Sequence, residues 1–178
     1  NENLVGAGVF FEPNAFFEGV EDYAPYIGRE GFQNRSITNY PYSQFQDKPY
    51  YTEAKEKKKT IITDVYETVL DKKKVITISR PVLFRDRFVG AILLDIDMNL
   101  FSAAEQKDSH YPSLETDIVD ERGNFAFSKD TELIGTPLSE DKTEKDYQKI
   151  SAEMGKGNAF RLLEREKDGV ERRVYYVP

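Results

Sequence analysis

The sequence contains no cysteine and a single histidine, and these absences remove several classes of protein. Without cysteine there can be no disulfide, no thiolate metal ligand and no cysteine nucleophile. The one histidine, His110, has no acidic residues clustered around it at ligand spacing, and a zinc site needs several ligands. The sequence therefore indicates neither a metal site nor a bound cofactor.

Long apolar runs and enzyme motifs are also missing. No stretch reaches the roughly 18 apolar residues of a membrane span, and no signal peptide is visible. There is no Gly-rich phosphate loop and no Gly-x-Ser-x-Gly elbow. Asp95 and Asp97, at the end of a predicted strand, are expected to point to opposite faces and to make a poor acid/base pair. We therefore predict that the protein is not an enzyme.

An excess of basic residues is absent as well, since the chain has a formal net charge of −7, and a nucleic-acid partner would require a clustered basic face. That acidic balance argues against a nucleic-acid partner. A hydrophobic content of 39% and an aromatic content of 13% are enough for a packed core in 178 residues. The sequence begins inside a strand and ends without a natural terminus, so we interpret it as a soluble piece of a longer protein.

The stretch from Pro49 to Phe101 is predicted to form one helix followed by three strands, and the rest of the chain is built around it. Pro49 suits the first turn of a helix, and β-branched alternation between short charged turns predicts the strands 61–70, 75–84 and 88–96. The last strand is the most apolar run, so we expect it to be central in its sheet. Pro81 predicts a bulge or an unpaired edge in the middle strand.

The flanking regions give further predicted elements. A strand over 4–11 contains Gly6 and Gly8, which indicates that something packs closely on them. Other predicted elements are a hairpin over 23–38 with Gly28 and Gly31 near its turn, a helix over 98–107 capped by Asp97 or Asn99, strands over 114–120 and 125–128, a helix over 146–154, and a hairpin of 158–167 with 170–177.

Several motifs together resemble one family. They are VGAGVFFEPNAFF (5–17), KPYY (48–51), TDVY (63–66), ITISRPV (76–82) and GAILLDIDMNLF (90–101). Their order and spacing resemble the extracellular double Cache sensor domain of bacterial methyl-accepting chemotaxis receptors and sensor histidine kinases. The resemblance implies an α+β, PAS-like fold: a central antiparallel sheet flanked by helices, in two tandem units of which the second is partial.

The resemblance also implies a domain order and a location. A membrane-distal, ligand-binding unit is expected over 1–107, a linker over 108–113, and a partial membrane-proximal unit over 114–178. Family members carry a transmembrane helix on each side and a long helix before the first strand, so the chain would be the extracytoplasmic part of a bacterial membrane protein. We expect a homodimer in the full-length receptor.

The same resemblance supplies a candidate site. In amino-acid-binding members an Arg-x-Trp-Tyr motif starts the pocket helix, a Tyr-x-Asp follows, and an Asp at the end of the last strand takes the ligand ammonium. In this sequence Lys48 stands in place of the Arg, Tyr50 in place of the Trp, and Thr68 in place of the second acid. The implied ligand-binding residues are Lys48, Tyr50, Tyr51, Tyr66, Thr68 and Asp95, with Arg35, Tyr40 and Tyr42 as weaker candidates.

The function that follows is a ligand-sensing domain of a chemoreceptor-like signal transducer. One cationic and one anionic residue suit an amino acid or another small zwitterion. Lys48 offers a point charge where the Arg would offer a bidentate fork, so a short carboxylate or an amine held by Asp95 remains open. The alternative from another class is an interaction or dimerisation module that has no small-molecule ligand.

Overall fold

The computed structural model describes residues 4–40, 45–68, 72–100, 115–120, 122–165 and 171–177. We call residues 4–100 the N-terminal part and residues 115–177 the C-terminal part. The elements of the N-terminal part are β1 (Leu4–Phe11), β2 (Pro25–Gly28), α1 (Arg29–Asn34), β3 (Thr38–Asn39), a 3₁₀ turn (Phe45–Asp47), α2 (Pro49–Lys57), β4 (Ile61–Ile62), β5 (Tyr66–Glu67), β6 (Lys74–Phe84) and β7 (Arg87–Asp97).

One antiparallel sheet dominates the N-terminal part, in the order β3-β2-β1-β7-β6-β4, with β5 also pairing with β6. The most apolar strand, β7, lies between β1 and β6, so the expectation of a central position is confirmed. Pro81 pairs with Ala91, and the partner strands β4 and β5 cover β6 only as far as Ser79. The predicted unpaired edge is therefore present, and a register shift follows at Val82.

Helix α2 lies against this sheet through one apolar face. Pro49 occupies the first turn, as expected, and Lys57 pairs with Glu53 at 2.6 Å. Tyr51 and Ala54 are fully buried in the helix face that meets the sheet. The core that they join consists of Phe10, Ala24, Phe45, Tyr51, Phe88, Ala91 and Leu93, together with Ala54.

Two predictions for the N-terminal part were wrong in detail. Residues 23–38 do not form a hairpin with a tight turn, because α1 joins β2 to β3, although these two strands do pair. The single strand predicted over 61–70 is instead the short strands β4 and β5, separated by residues 63–65. Thr63 leaves the ladder but stays attached to β6 through its backbone N–H, which donates to the carbonyl of Thr77 at 3.1 Å.

The loop after β1 exposes two large apolar side chains. Phe16 and Phe17 are 54% and 49% exposed. Their rings contact those of Phe11 and Tyr23, with centroids 4.8–5.1 Å apart, on the surface at the end of β1. The anchoring contacts are therefore made among the loop aromatics rather than with the buried core.

The C-terminal part has a hydrophobic cluster of its own, built around Phe125, Leu138 and Ile150. The helix predicted over 146–154 begins two residues earlier, because Thr143 caps it by accepting a hydrogen bond from the N–H of Asp146 at 3.2 Å. The elements of this part are β8 (Ile118–Val119), β9 (Phe125–Phe127), α3 (Leu138–Asp141), α4 (Glu144–Met154), β10 (Phe160–Arg165) and β11 (Glu171–Tyr176).

The strands of the C-terminal part agree with the predicted pairings but are shorter. β10 and β11 form the expected antiparallel hairpin, whereas β8 spans only two residues of the strand predicted over 114–120. The division at residues 108–113 stays a prediction, since residues 101–114 lie outside the described ranges. None of the helices formed by the described residues has the length and hydropathy needed to cross a bilayer.

Candidate functional site

A row of four residues crosses the centre of the sheet and forms the base of the site. Gly28 of β2 pairs with Gly6 of β1, Gly6 pairs with Asp95 of β7, and Asp95 pairs with Thr77 of β6. Neighbouring strands lie about 5 Å apart, so the side chains in such a row can reach one another. Two glycines on one side of Asp95 leave space above the sheet.

Tyr26 fills that space by lying over Gly6. A Cβ atom placed on Gly6 would be 2.0 Å from the Tyr26 hydroxyl oxygen, a distance that no real contact reaches. The predicted close packing on Gly6 and Gly8 is confirmed: Tyr26 lies over Gly6, and Phe10, the Pro25 carbonyl and Tyr26 approach Gly8. Because Gly6 has no side chain, the hydroxyl of Tyr26 can cross β1 and donate to Asp95 Oδ2 at 3.0 Å.

Asp95 is held from its other side by a chain of hydroxyl groups. The Thr77 hydroxyl, which is almost completely buried, donates to Asp95 Oδ1 at 2.6 Å. The Tyr66 hydroxyl lies 2.6 Å from the same Thr77 oxygen. Each oxygen of the carboxylate thus accepts a hydrogen bond that fixes its orientation, and neither Thr77 nor Tyr26 supplies a positive charge.

Four tyrosines share the space around this carboxylate: Tyr26, Tyr40, Tyr50 and Tyr66. The rings of Tyr26 and Tyr40 meet edge to face at 5.2 Å, and those of Tyr50 and Tyr66 are stacked at 6.2 Å. Burial raises the pKa of Tyr26, Tyr50 and Tyr66 well above the ordinary value, and the Asp95 charge raises each pKa further. All three hydroxyls therefore stay protonated at neutral pH and can donate hydrogen bonds.

These residues lie in an open cleft of about 1650 Å³ between the sheet, α2, the segment 63–66 and the turn after β8. Among the described residues, its lining includes as many cations as acids. The cations are Arg29, Lys48, Lys57, Lys59, Lys73 and Arg122. The acids are Glu30, Glu53, Asp64, Glu67, Asp95 and Asp120.

Most of the residues that the sequence indicated line this cleft. Asp95 is among them, and three of the tyrosines around its carboxylate are the predicted residues Tyr40, Tyr50 and Tyr66. Lys48 precedes α2 with its side chain exposed at the rim of the cleft. Thr68 is also in the lining, where its hydroxyl accepts a hydrogen bond from the N–H of Lys73 at 3.0 Å and closes the turn into β6.

Two other candidates are placed elsewhere, and a third is not among the described residues. Tyr51 points into the core, fully buried, and its hydroxyl donates to Glu12 Oε1 at 2.9 Å. Arg35 ends α1 in the left-handed region at φ 53°, is exposed, and is absent from the cleft lining. Tyr42 lies outside the described residues.

Asp97 requires a correction. The expectation that Asp95 and Asp97 point to opposite faces was wrong, because residues two apart on a regular strand share a face. The two carboxylates nevertheless bind different groups, since Asp95 accepts hydrogen bonds from Tyr26 and Thr77. Asp97 Oδ1 accepts hydrogen bonds from the N–H groups of Asn99 and Leu100 at 3.1 and 3.2 Å, so Asp97 caps the helical residues that start after β7, as one of the two predicted caps.

Sequence reasoning missed Tyr26, Thr77 and Arg29. The sequence pattern places Tyr26 only within a predicted hairpin, although the two glycines of β1 indicate that something packs closely on them. Thr77 is polar and sits at a buried position of an alternating strand, which is a usable signal for a functional hydroxyl. Arg29 lines the cleft and donates from Nε and Nη2 to the carbonyl of Leu4, both at 3.2 Å.

We predict that Gly6→Ala lowers the free energy of unfolding by about 1–3 kcal/mol, because the new methyl group overlaps the Tyr26 ring. The control is Gly28→Ala, whose methyl group would lie 3.9 Å from Tyr26, an ordinary contact. Denaturant midpoints measure both. In a Tyr26→Ala background the effect of Gly6→Ala should shrink, and an unchanged effect there would contradict this account.

A central antiparallel sheet with an aromatic cleft over its middle strands, followed by a second part of helices and strands, defines a mixed α+β domain. The family model for the Cache domain, dCache_1, matches residues 13–178. The chain therefore belongs to the dCache_1 family of Cache domains. No curated protein matches the sequence.

Solved structures with the same fold are sensor regions of bacterial receptors. Methyl-accepting chemotaxis protein X has a TM-score of 0.74 at 16% identity, over 99% of this chain and 69% of that one. The periplasmic sensory domain of the Campylobacter jejuni chemoreceptor Tlp1 has a TM-score of 0.70 at 12% identity, over 96% and 66%. The ligand-binding domain of Campylobacter jejuni Tlp3 with L-norvaline has a TM-score of 0.61 at 15% identity, over 97% and 59%.

Proposed function

We propose that this chain is the ligand-sensing region of a transmembrane, chemoreceptor-like signal transducer, and that the cleft binds a small amino acid. The observation that carries the proposal is Asp95, fixed by Thr77 and Tyr26 in the midst of four tyrosines. Family membership supports a sensor role and an extracytoplasmic location, since Tlp1 is described as a periplasmic sensory domain.

The ammonium end of the ligand is the better defined end. A carboxylate that accepts two hydroxyl hydrogen bonds has a fixed orientation, so a ligand N–H group meets a preorganised acceptor. Tyrosine faces attract a cation, by about 0.5–2 kcal/mol each depending on desolvation. An ammonium group beside Asp95 and the tyrosines would gain from both effects.

The carboxylate end of the ligand is assigned to Lys48. This lysine begins α2, two residues before Tyr50, and both residues line the cleft. Its exposed ammonium is well hydrated, so it would attract a carboxylate more weakly than a buried arginine fork. The ligand's ammonium therefore contributes more to affinity than its carboxylate.

A simple amine is the second candidate ligand. The specific observation in its favour is the contrast between the two ends, because Asp95 is half-buried among tyrosines whereas Lys48 is exposed. An amine would use the Asp95 end alone. The interaction-module alternative is also kept, since it requires no ligand at all.

A thermal-melt screen of the chain tests these proposals. Amino acids, amines and short carboxylates are added at millimolar concentration, including the matched set L-norvaline, n-butylamine and pentanoate. A ligand present at about 100 times its Kd adds about 2.7 kcal/mol of stability, which is a shift of several degrees. We expect amino acids to give the largest shifts. A larger shift with n-butylamine than with L-norvaline would favour the amine, and silence from the folded chain would favour the interaction module.

A further inference from the structure

The C-terminal part forms one wall of the cleft. That wall contacts residues 63–66, a segment that belongs to the site. Residues 63–66 carry Tyr66, whose hydroxyl meets Thr77 beside Asp95. Two residues before Tyr66, Asp64 forms an ion pair with Arg122 of the turn after β8, with Arg122 Nε 2.7 Å from Asp64 Oδ2. Both residues line the cleft.

Hydrogen bonds to Asp120 hold the described residues of the turn that presents Arg122. Asp120 Oδ1 accepts hydrogen bonds from the backbone N–H groups of Arg122 and Asn124, at 2.9 and 2.8 Å. The N–H of Asp120 also donates to the carbonyl of Asn124 at 2.8 Å. Because Asp120 binds the backbone N–H of Arg122 and that of Asn124, it fixes the backbone position from which the Arg122 side chain extends.

Two further contacts join the C-terminal part to the N-terminal part near Tyr66. Lys74, at the start of β6, donates to the carbonyls of Thr131 and Glu132, both at 3.1 Å. Gly135 lies next to Val65, with a Cβ position 3.8 Å from the Val65 side chain. All of these contacts surround the short strand that carries Tyr66, since Val75 next to Lys74 is the cross-strand partner of Tyr66.

Segment 63–66 depends on such contacts because it has little other support. β4 precedes the segment and β5 begins at its last residue, Tyr66; each strand contains two residues, and the ladder with β6 is interrupted between them. Across the interruption Thr63 and Thr77 are joined by two hydrogen bonds: the Thr63 N–H donates to the Thr77 carbonyl at 3.1 Å, and the Thr77 N–H donates to the Thr63 hydroxyl at 2.9 Å.

We propose that Arg122 is a positioning residue of the cleft: its ion pair with Asp64 fixes segment 63–66, and thereby Tyr66, in the geometry that binds ligand. The binding consequence rests on the proposed function. The Arg122 side chain is 71% exposed and that of Asp64 33%, so the pair adds little to global stability and acts on the placement of a weakly supported segment. Coupling is reciprocal, so a bound ligand tightens the contact between the two parts.

Hydrogen exchange in the ligand-free protein tests the positioning role directly. The reporters are the amides of Thr63 and Thr77, which lose their shared hydrogen bonds when the segment loosens. We expect Arg122→Glu to speed their exchange about fivefold, and the charge-swapped double variant Arg122→Glu/Asp64→Arg to restore it. Arg122→Lys should be close to wild type. The amides of β1 should be unaffected throughout.

The matched control is Lys129→Glu. Lys129 pairs with Glu115 at 2.5 Å in a similarly exposed position, and its reversal changes the net charge by the same amount. An effect of Lys129→Glu equal to that of Arg122→Glu, or a double variant that is not rescued, would overturn the positioning role. So would unchanged exchange at Thr63 and Thr77.

Binding provides the second measurement, with L-norvaline and n-butylamine as the probes. We expect Arg122→Glu to weaken binding about fivefold and the charge-swapped variant to recover it to within about twofold. Unchanged affinity in Arg122→Glu would overturn the coupling. If neither probe binds but exchange at Thr63 responds as expected, the proposed function fails and the positioning role stands.

Discussion

Asp95→Asn is expected to abolish detectable binding of amino acids and amines while the protein stays folded. Removing one partner of a desolvated, hydrogen-bonded charge pair typically loses about 2–5 kcal/mol, which is about thirtyfold or more in Kd. Asparagine has the same shape as aspartate: its Oδ1 still accepts a hydrogen bond from Thr77, and its amide N–H can donate to the Tyr26 hydroxyl oxygen where Asp95 Oδ2 accepted from it. The loss should therefore appear in affinity and not in the melting temperature of the ligand-free protein.

Titration calorimetry with the best amino acid from the melt screen measures the effect. The control is Glu67→Gln, which removes a second carboxylate from the lining of the same cleft. Glu67 is 55% exposed and pairs with Lys72 at 3.4 Å, so its charge is screened by solvent. If Asp95→Asn binds as tightly as Glu67→Gln, the ammonium is not bound at Asp95 and the site assignment is wrong.

The sheet could be predicted because its strands carry a strong local signal. β1, β6 and β7 are long, alternate or are uniformly apolar, and end at charged turns, so sequence and structure agree within one or two residues. The short strands could not be predicted. β4 and β5 are separated by residues 63–65, where the Thr63 hydroxyl accepts a hydrogen bond from the N–H of Thr77 in β6, and no local pattern records such a long-range partner.

The site was partly predictable for a related reason. Asp95 stands out as an acid within the most apolar run, and resemblance to a family pointed to Tyr50 and Tyr66. Tyr26 lies 69 residues from Asp95 in the sequence, and it reaches the carboxylate only because Gly6 between them has no side chain. The glycines indicated that a partner exists, but its identity depends on the strand register of β1 against β2.

The adjacent tyrosines of α2 show where a motif and a fold diverge. Tyr50 and Tyr51 are neighbours in the sequence and both belong to the resemblance, but consecutive residues on a helix point about 100° apart. Tyr50 therefore faces the cleft while Tyr51 faces the core, where its ring contacts Phe45 and Phe88 at centroid distances of 5.2 and 5.3 Å. A motif alone does not separate a residue that binds from one that packs.

Tyr51→Ala should consequently cause a large loss of stability. Truncating a fully buried aromatic ring typically lowers the free energy of unfolding by about 3–5 kcal/mol. For a domain of this size each kcal/mol lowers Tm by about 2–4 °C, so the ligand-free variant should melt roughly 6–20 °C lower. Differential scanning calorimetry or circular dichroism melts measure the change.

Tyr51→Phe separates the ring from the hydroxyl group. It removes only the hydrogen bond to Glu12, which keeps its ion pair with Lys55 at 2.7 Å, so we expect a loss of about 1 kcal/mol. Ligand affinity should be unchanged, because the lost hydroxyl faces away from the cleft. The matching change at the neighbouring position, Tyr50→Phe, removes a hydroxyl that lines the cleft and should weaken binding. A loss of affinity in Tyr51→Phe equal to that in Tyr50→Phe would show that Tyr51 takes part in binding and would contradict its assignment to the core.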